Sequence, residues 1–365
     1  MKIFIIIIFF IHGLIHLMGF LKAFRLAEIS QIKEPVSRTA GIIWLVAVLL
    51  FLLAGGLLLS GNPRWWLPGL MAVLVSQVLI FSAWKDAKFG SIANLLIIAA
   101  VLVGFGAWSN HRMMVREYRS FIRDVQVQGT MVTPQMLDSL PPVVQRWLRH
   151  ANIVGREKAE WVFLRQAGTM RTSPEGKWIP FRAMQWFNTD DPGFLWLTDV
   201  KYAKGIHVTG MDRFENGKGQ MLLKALSLFP VVNAKGTEID QGSMVRYLAE
   251  TTWFPSAALN PYIHWKQTDS LQATATMTYK STAVTGTFTF NPSGDAVSFE
   301  APRYYFRKGG STLENWFVQM DPNGYREFEG IRIPAKSSII WKLKTGDYEW
   351  LKLEVTDERF NRRRN

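Results

Sequence analysis

Residues 271–290, LQATATMTYKSTAVTGTFTF, carry the most regular pattern in this chain. In Leu271–Tyr279 the odd positions are Leu, Ala, Ala, Met and Tyr, whereas the even positions are Gln and Thr. Val284–Phe290 repeats this alternation, and the short segment Lys280–Ala283 between the two runs suits a hairpin. Two neighbouring runs of this kind predict antiparallel strands with one face on a core and the other facing water.

Further runs rich in β-forming residues surround this hairpin, and most are separated by Gly, Pro, Asn or Asp. They are Trp161–Arg171, Trp178–Asn188, Phe194–Tyr202, His207–Phe214, Gly219–Leu223, Tyr325–Phe328, Ile339–Leu343 and Trp350–Thr356, with a short apolar stretch at Val297 and Phe299. Two segments, near residues 134–150 and 238–251, have helical spacing instead. Residues 131–365 are therefore expected to form an α+β domain dominated by an antiparallel sheet.

The first 109 residues have a different composition. Four apolar runs of 17 to 19 residues lie there, just enough to cross a hydrocarbon core about 30 Å thick. They are Ile3–Leu21, Ile42–Leu59, Leu67–Trp84 and Ile92–Trp108. Residues 1–109 are expected to form a transmembrane bundle of four helices. The first run is expected to be retained, because no small-residue cleavage site follows it.

The positive charges of the connections predict an orientation. The first and third connections carry Lys22, Arg25, Lys33, Arg38, Lys85 and Lys88, whereas the N-terminus and the second connection carry Lys2 and Arg64. Because short cytoplasmic loops are enriched in Lys and Arg, both termini and the C-terminal domain are expected outside the cytoplasm.

An arginine stripe follows the last apolar run. Arg112, Arg116, Arg119 and Arg123 are spaced by four, three and four residues, and Met114, Tyr118, Phe121 and Val125 fall on the opposite side of a helix. Residues 110–130 are therefore interpreted as a basic amphipathic linker that lies against lipid head groups. A plain continuation of the fourth helix with solvated arginines remains an equal alternative.

Ionisable side chains within membrane spans are costly, which makes His12 and His16 candidates for function. They lie four residues apart and share one helix face. Together with Gln77 and Asn94 they are expected to form an intramembrane polar cluster. The cluster either joins helices by hydrogen bonds or binds a metal, a proton, a quinone or a haem. No metal site and no cofactor is assigned.

Composition narrows the class of function. The chain has a net charge of +13 and no Cys, so disulfides, thiolate metal sites and a Cys nucleophile are excluded. Basic charge beside a membrane favours anionic lipids as partners, and no nucleic-acid recognition motif is found. The motifs of serine hydrolases, zinc metalloproteases and P-loop enzymes are missing, so the sequence favours a binding protein over an enzyme.

The run RYLAETTWFP, residues 246–255, holds the densest mixture of charged and aromatic side chains. In one interpretation Arg246, Tyr247 and Glu250 form the rim of a ligand cavity whose wall includes Trp253 and Phe254. In the other, Arg246 and Glu250 are an ordinary ion pair on a helix that ends before a proline.

Several stretches resemble an uncharacterised family of bacterial membrane proteins of unknown function. They are HGLIHLMGFLKAF (12–24), SQVLIFSAWKDAKFG (76–90), IANL (92–95), LPPVVQRWLRHA (140–151), RYLAETTWFP (246–255), RYYF (303–306) and YREFEGIRIPAKSSIIW (325–341). The helical part is similar to DoxX-like membrane proteins. The stretch FEGIRIPAKSSIIWKL (328–343) resembles LolA-like lipoprotein-sorting folds, which implies a curved sheet around an apolar cavity that holds lipid.

The apolar runs, the arginine stripe and the aromatic-rich strands together favour a bacterial inner-membrane protein whose extracytoplasmic β domain binds an apolar or lipidated ligand. Two other hypotheses remain. One is a membrane-bound enzyme or a redox or metal-binding component that uses His12 and His16, and the other is a scaffold that binds another envelope protein.

Overall fold

The chain divides into two units, one built from apolar helices and one from β-strands. The computed structural model describes residues 2–123, 125–203, 205–307 and 309–362. The first unit is Met1–Met113 together with Leu226–Leu228, and the second is Met114–Ala225 together with Phe229–Asn365.

Five helices account for the N-terminal part of the chain. They are α1 (Lys2–Ala23), α2 (Arg38–Leu59), α3 (Trp66–Ser82), α4 (Trp84–Ala87) and α5 (Gly90–Phe121). Within the described residues, α1, α2 and α5 are long and apolar enough to cross a membrane. Helix α3 has 17 residues, or about 26 Å, because the backbone leaves the helical region at Ala83. The expected apolar helical region is thus confirmed, whereas the count of four spanning helices is not.

Small residues allow the apolar helices to pack closely. Phe9 of α1 and Phe51 of α2 are fully buried in a cluster that also includes Ala72 of α3. At Gly19 the approach is so close that an added Cβ would lie 2.1 Å from the Trp44 ring. Close approach at small residues is the usual way in which membrane helices pack, because apolar burial gives little driving force there.

Helix α5 passes through the change in composition near Ser109 without a break. Its last turns, from Met114 onward, belong to the second unit. There Phe121 and Val125 are each only 4% exposed and pack against Trp161 and Phe163. The apolar side of the arginine-striped segment therefore lies on the sheet, where it is not available to lipid.

A sheet of thirteen antiparallel strands forms most of the second unit. Along its width the strands run β6-β5-β4-β3-β2-β1-β15-β14-β11-β10-β9-β8-β7, and β12 pairs with β13 in a separate hairpin. The strands are β1 (Trp161–Met170), β2 (Ile179–Asn188), β3 (Gly193–Ala203), β4 (Ile206–Glu215), β5 (Lys218–Ala225), β6 (Phe229–Lys235), β7 (Ile263–Asp269), β8 (Gln272–Tyr279), β9 (Thr282–Phe290), β10 (Ala296–Arg307), β11 (Gly310–Met320), β12 (Tyr325–Phe328), β13 (Ile331–Pro334), β14 (Lys336–Leu343) and β15 (Gly346–Phe360).

The sheet is curled into a half-barrel, which confirms the expected curved antiparallel architecture. Register shifts opposite Arg165 of β1 and opposite Ile339 of β14 leave Thr356 and Trp350 as the extra residues of two bulges in β15. Bulges bend strands and increase their twist. Twist accumulated over this many strands curls a sheet. The two halves of the sheet are joined by the pairing of β1 with β15, in the middle of the sheet.

Two α-helices pack on the β-strands. They are α6 (Pro142–His150), which follows a short 3-10 helix over Pro134–Leu137, and α7 (Thr237–Glu250). Helix α7 contacts β4, β5 and β6 as well as β8, β9 and β10, so it lies inside the curl. We call the side of the sheet that α7 covers the inner face.

The predicted hairpin lies at one edge of this half-barrel. Ala273, Ala275 and Met277 of β8 are fully buried, as is Phe288 of β9, and Phe290 is only 1% exposed, so the alternation assigned the faces correctly. The strands β6, β7, β11 and β13 were missed, and β10 is much longer than the short apolar stretch suggested. These strands have less regular alternation because both of their faces carry mixed side chains.

Candidate functional site

A cavity of about 170 Å³ lies between α7 and the inner face of the sheet. Its walls are mainly apolar and rich in rings. The lining side chains from the two halves of the sheet and from α7 include Met170, Phe181, Trp196, Val200, Leu223, Ala249, Trp253, Trp316, Val318, Ile339, Trp350 and Leu353. Inner-face positions of strands distant in the sequence thus enclose one apolar space.

Four charged side chains line the same cavity: Asp212 of β4, Arg246 and Glu250 of α7, and Arg303 of β10. Arg246 Nη1 donates to Asp212 Oδ2 at 2.7 Å, and Arg246 Nε donates to Glu250 Oε1 at 2.7 Å. Both carboxylates are nearly inaccessible, at 2% and 9% side-chain exposure. A buried ion pair of this kind is strongly destabilised when one partner is removed.

Two glutamines extend this network across the central strands. Gln185 of β2 donates to Glu250 Oε2 at 2.8 Å and receives a hydrogen bond from Gln166 of β1 at 3.1 Å. Gln166 in turn accepts from the indole N–H of Trp196 at 2.8 Å. The Arg246 guanidinium also lies over the Phe194 ring, 4.7 Å from its centroid. The network therefore holds Arg246 in place from several directions.

Arg303 is placed differently from Arg246. Its guanidinium lies 4.7 Å from the Trp316 ring centroid and 5.9 Å from that of Trp341. Among the described residues, no hydrogen bond or ion pair joins it to another side chain. It is held by cation–π stacking, which leaves its N–H donors free for another partner.

Burial shifts the pKa values of these four groups. It raises the pKa of the Asp212 carboxyl and of the Glu250 carboxyl, although the charge of Arg246 opposes both shifts. It lowers the pKa of Arg303 to about 10, and the nearby positive charge of Arg246 adds to that effect. Burial also acts to lower the pKa of Arg246, but Glu250 and Asp212 outweigh it and raise the value.

Three buried polar atoms on the cavity wall have no hydrogen-bond partner among the described residues. They are Asp212 Oδ1, the indole N–H of Trp316 and the indole N–H of Trp350. Buried polar atoms are normally paired, so each unpaired one requires an explanation. A ligand in the cavity would supply the missing partners.

A larger and shallower depression of about 560 Å³ lies elsewhere on the sheet. It is open to solvent, and Asp321, Lys336, Lys352 and Glu354 are among the residues that line it. It has neither an enclosed apolar wall nor buried charge, so it is a weaker candidate for a binding site.

The residues singled out in RYLAETTWFP separate into two groups. Arg246, Glu250 and Trp253 line the cavity. Tyr247 and Phe254 do not; both are fully buried in the core beside Phe187, and the Tyr247 hydroxyl is 3.0 Å from that of Tyr262. Phe254 thus lies in the core beside Phe187 and outside the lining of this cavity.

Sequence reasoning missed Asp212, Gln166, Gln185 and Arg303 as site residues. Each occupies a position that the alternation of its strand assigns to the inner face; Asp212, for example, is followed two residues later by the buried Phe214. A polar residue on a core face is the signal that identifies such positions, because burying an unpaired polar group is costly.

The polar side chains expected to cluster among the apolar helices are hydrogen-bonded to one another in the first unit. His12 Nε2 lies 3.0 Å from Asn94 Oδ1 and 3.3 Å from Ser76 Oγ, and Asn94 Nδ2 donates to Gln77 Oε1 at 3.0 Å. His16 Nδ1 donates to the His12 carbonyl oxygen at 2.8 Å. Within the part of the chain that the structure describes, no group of three or more His, Cys, Asp or Glu side chains could hold a metal. The geometry favours hydrogen bonding between α1, α3 and α5.

The arginine stripe is accessible to solvent. Arg112, Arg116, Arg119 and Arg123 are all exposed. On the opposite side of the same segment, Glu117 pairs with Arg213 of β4, which attaches the end of α5 to the sheet.

Comparison with solved structures finds a similarity to an outer membrane lipoprotein-sorting protein domain from Vibrio parahaemolyticus. The two chains share 11% identity and a TM-score of 0.34, over 61% of this chain and 93% of that one. No curated protein sequence matches the chain.

A protein-family model matches most of the second unit. The model of a family of unknown function, DUF6544, matches residues 130–353. That range holds the four charged residues of the cavity and most of the sheet. Because it is more than half of the chain, this protein belongs to the DUF6544 family.

Proposed function

We propose that this protein is anchored in a membrane by its apolar helices and binds an apolar ligand in the inner cavity of its β-rich unit. The ligand is a lipid or the lipid part of a lipidated molecule. The observation that carries the proposal is the enclosed cavity, whose walls are mainly aromatic and aliphatic. Such a cavity with a few convergent polar groups is the usual form of a small-molecule site.

The membrane part of the proposal includes a fourth span. Helix α3 is mainly apolar and packs against α2, so a locally thin bilayer would accommodate its 17 residues. With four spans, the Lys and Arg distribution places both termini outside the cytoplasm of a bacterial inner membrane. The exposed arginine stripe at Arg112 to Arg123 then faces the anionic head groups.

The cavity size limits what it holds. At about 170 Å³ it is close to the engineered cavity of about 150 Å³ that binds benzene, and below the usual range of about 300–1,000 Å³ for ligand sites. The cavity therefore accommodates one segment of an apolar ligand. A longer acyl chain extends beyond the cavity or widens it by a shift of α7.

A cavity-filling variant tests the proposal. Val318 lines the cavity and is 7% exposed, so Val318→Phe places extra volume in the binding space. Val231 on edge strand β6 is 56% exposed, and Val231→Phe is the matched control. Native mass spectrometry of the full chain extracted in mild detergent measures the retained ligand.

We expect the wild-type chain and Val231→Phe to retain an apolar ligand, and Val318→Phe to lose it. Lipids that adhere to the helices are common to all three proteins, so the difference isolates the cavity. Equal retention by Val318→Phe and the control would contradict the proposal.

A further inference from the structure

The two arginines of the cavity differ in how far their charges are already neutralised. Arg246 makes 2.7 Å contacts with both Asp212 and Glu250. Arg303 has no carboxylate within ion-pair distance among the described residues, although it lines the same cavity. The open position for a counter-charge is therefore at Arg303.

Stacking against the sheet orients Arg303. Its guanidinium lies over the rings of Trp316 and Trp341, which stand opposite each other on β11 and β14. Arg303 is on the inner face of β10, two residues from the buried Ala301. A planar guanidinium held in this way presents its N–H groups in the fork geometry that matches carboxylate and phosphate oxygens.

Unpaired donors outnumber unpaired acceptors on the cavity wall. Among the described residues the indole N–H groups of Trp316 and Trp350 are buried without acceptors, and Arg303 on the same wall adds N–H groups that no described side chain accepts. Asp212 Oδ1 is the one unpaired acceptor found on this wall within the described ranges. A ligand that completes this set must supply several acceptor oxygens.

We propose that the ligand carries an anionic head group with at least two acceptor oxygens, a carboxylate or a phosphate, which pairs with Arg303 and accepts from the Trp316 and Trp350 indoles. This inference rests on the proposed binding function. The apolar tail of this ligand occupies the aromatic part of the cavity. Fatty acids and lipids with a phosphate head share this chemistry.

A cationic head group fits the site less well. Its natural partner would be Asp212 Oδ1, but the charge of that carboxylate is already balanced by Arg246, whose Nη1 lies 2.7 Å from Oδ2. A cation would also lie near both guanidinium groups, whose positive charges would repel it. An anion instead pairs with Arg303 and leaves the Arg246 network intact.

The test compares three probes with the same twelve-carbon chain: dodecanoate, dodecyl phosphate and dodecanol. Binding to the full chain in a non-ionic detergent is titrated by native mass spectrometry. Arg303→Met removes the positive charge and keeps a side chain of similar volume. Arg303→Lys keeps the charge but lacks the planar guanidinium that can make two parallel hydrogen bonds. Arg307→Met is the matched control, since Arg307 lies on the same strand, is 49% exposed and pairs with Glu314.

We expect at least one anionic probe to bind the wild-type chain about tenfold or more tightly than dodecanol, as a charge-assisted bidentate pair would give. Arg303→Met should abolish this preference, so that the anionic probes bind no more tightly than dodecanol. Arg303→Lys should retain part of the preference, and Arg307→Met should retain all of it. The tighter of the two anionic probes then distinguishes a fatty-acid ligand from a phosphate-bearing lipid.

Two results overturn the inference. One is an equal affinity of all three probes for the wild-type chain, and the other is an anionic preference that persists in Arg303→Met. If dodecanol binds the wild-type chain and Val318→Phe loses that binding, but the anionic probes bind no more tightly than dodecanol, this inference fails and the proposed function stands. If Val318→Phe changes the binding of none of the probes, the proposed function itself fails.

Discussion

Replacing Arg246 with Met should destabilise the β-rich unit strongly and in a pH-dependent manner. Arg246 makes charge-assisted hydrogen bonds of 2.7 Å to each of two buried carboxylates, and each such bond contributes about 1.5–3 kcal/mol. Removing the arginine leaves Asp212 and Glu250 buried without their counter-charge. The expected loss at pH 8 is about 3–5 kcal/mol, which for a domain of this size lowers the Tm by roughly 6–20 °C.

The sign of the pH dependence follows from the pKa shifts. Burial already raises the pKa of the Asp212 and Glu250 carboxyls, and Arg246 opposes both shifts. Without Arg246 both pKa values rise further above their unfolded values of about 3.9 and 4.3. The folded variant then binds protons more tightly than the unfolded chain. Its stability is greatest below the unfolded values and declines as the pH rises through the raised folded values.

The assay combines thermal unfolding with amide hydrogen exchange of the full chain in detergent. Exchange in peptides from α7 should accelerate about a hundredfold or more at pH 8, because each 1.4 kcal/mol changes the opening equilibrium tenfold. At pH 5 the difference from the wild-type chain should be smaller. Adding Glu250→Gln to Arg246→Met should restore part of the stability, since one unpaired carboxylate is removed.

Arg165→Met is the matched control. Arg165 is 47% exposed and lies 4.0 Å from Asp357, so its removal should cost at most about 1 kcal/mol. Two results would contradict the role assigned to the charged network. One is a loss of stability in Arg246→Met at pH 8 that is no larger than the loss in this control, and the other is a loss at pH 5 as large as the loss at pH 8.

Three further substitutions test other parts of the molecule. Both carboxylate oxygens of Glu358 are buried without a hydrogen-bond partner among the residues that the structure describes, and burial, with the charges of Glu329 and Asp357, raises its pKa well above the usual value. Because the raised value makes stability fall as the pH rises through it, Glu358→Gln should raise the Tm at pH 8 more than at pH 5, and the same change at an exposed glutamate should alter neither. Asn94→Leu removes a hydrogen-bond partner of a buried histidine 3.0 Å away and should cost the helical unit about 1–3 kcal/mol, measured by unfolding in mixed micelles; an unchanged midpoint would show that the polar cluster does not join the helices. Gly19→Ala places a methyl group against an indole ring and should cost about 1–3 kcal/mol in the same assay, whereas Gly56→Ala, where nothing lies nearby, should cost nothing.

Local pattern was sufficient to identify the two classes of structure in this chain. The alternation in Leu271–Tyr279 assigned the buried face correctly, because side chains in a strand point to opposite faces with a period of two. The helical spacing of residues 238–251 likewise corresponds to α7, Thr237–Glu250. Strands with mixed side chains, such as β11, were missed because neither face has a clear apolar period.

The helical part shows where length alone is insufficient. The apolar run Leu67–Trp84 is long enough to cross a bilayer, but the helix ends at Ser82 because the backbone bends at Ala83. The polar cluster, in contrast, was predictable in its membership. Residues with hydrogen-bonding side chains are so few in the apolar runs that His12, Gln77 and Asn94 had few other partners available.

The sequence by itself determined that apolar helices precede an antiparallel sheet, and which face of the hairpin strands is buried, since both properties follow from hydrophobic periodicity over a few residues. Only the tertiary structure decided that Asp212, Arg246, Glu250 and Arg303 line one cavity. They come from β4, α7 and β10, and they meet because the curled sheet folds its two halves around α7. Strand order and curvature depend on contacts between segments far apart in the chain, and no local period encodes them.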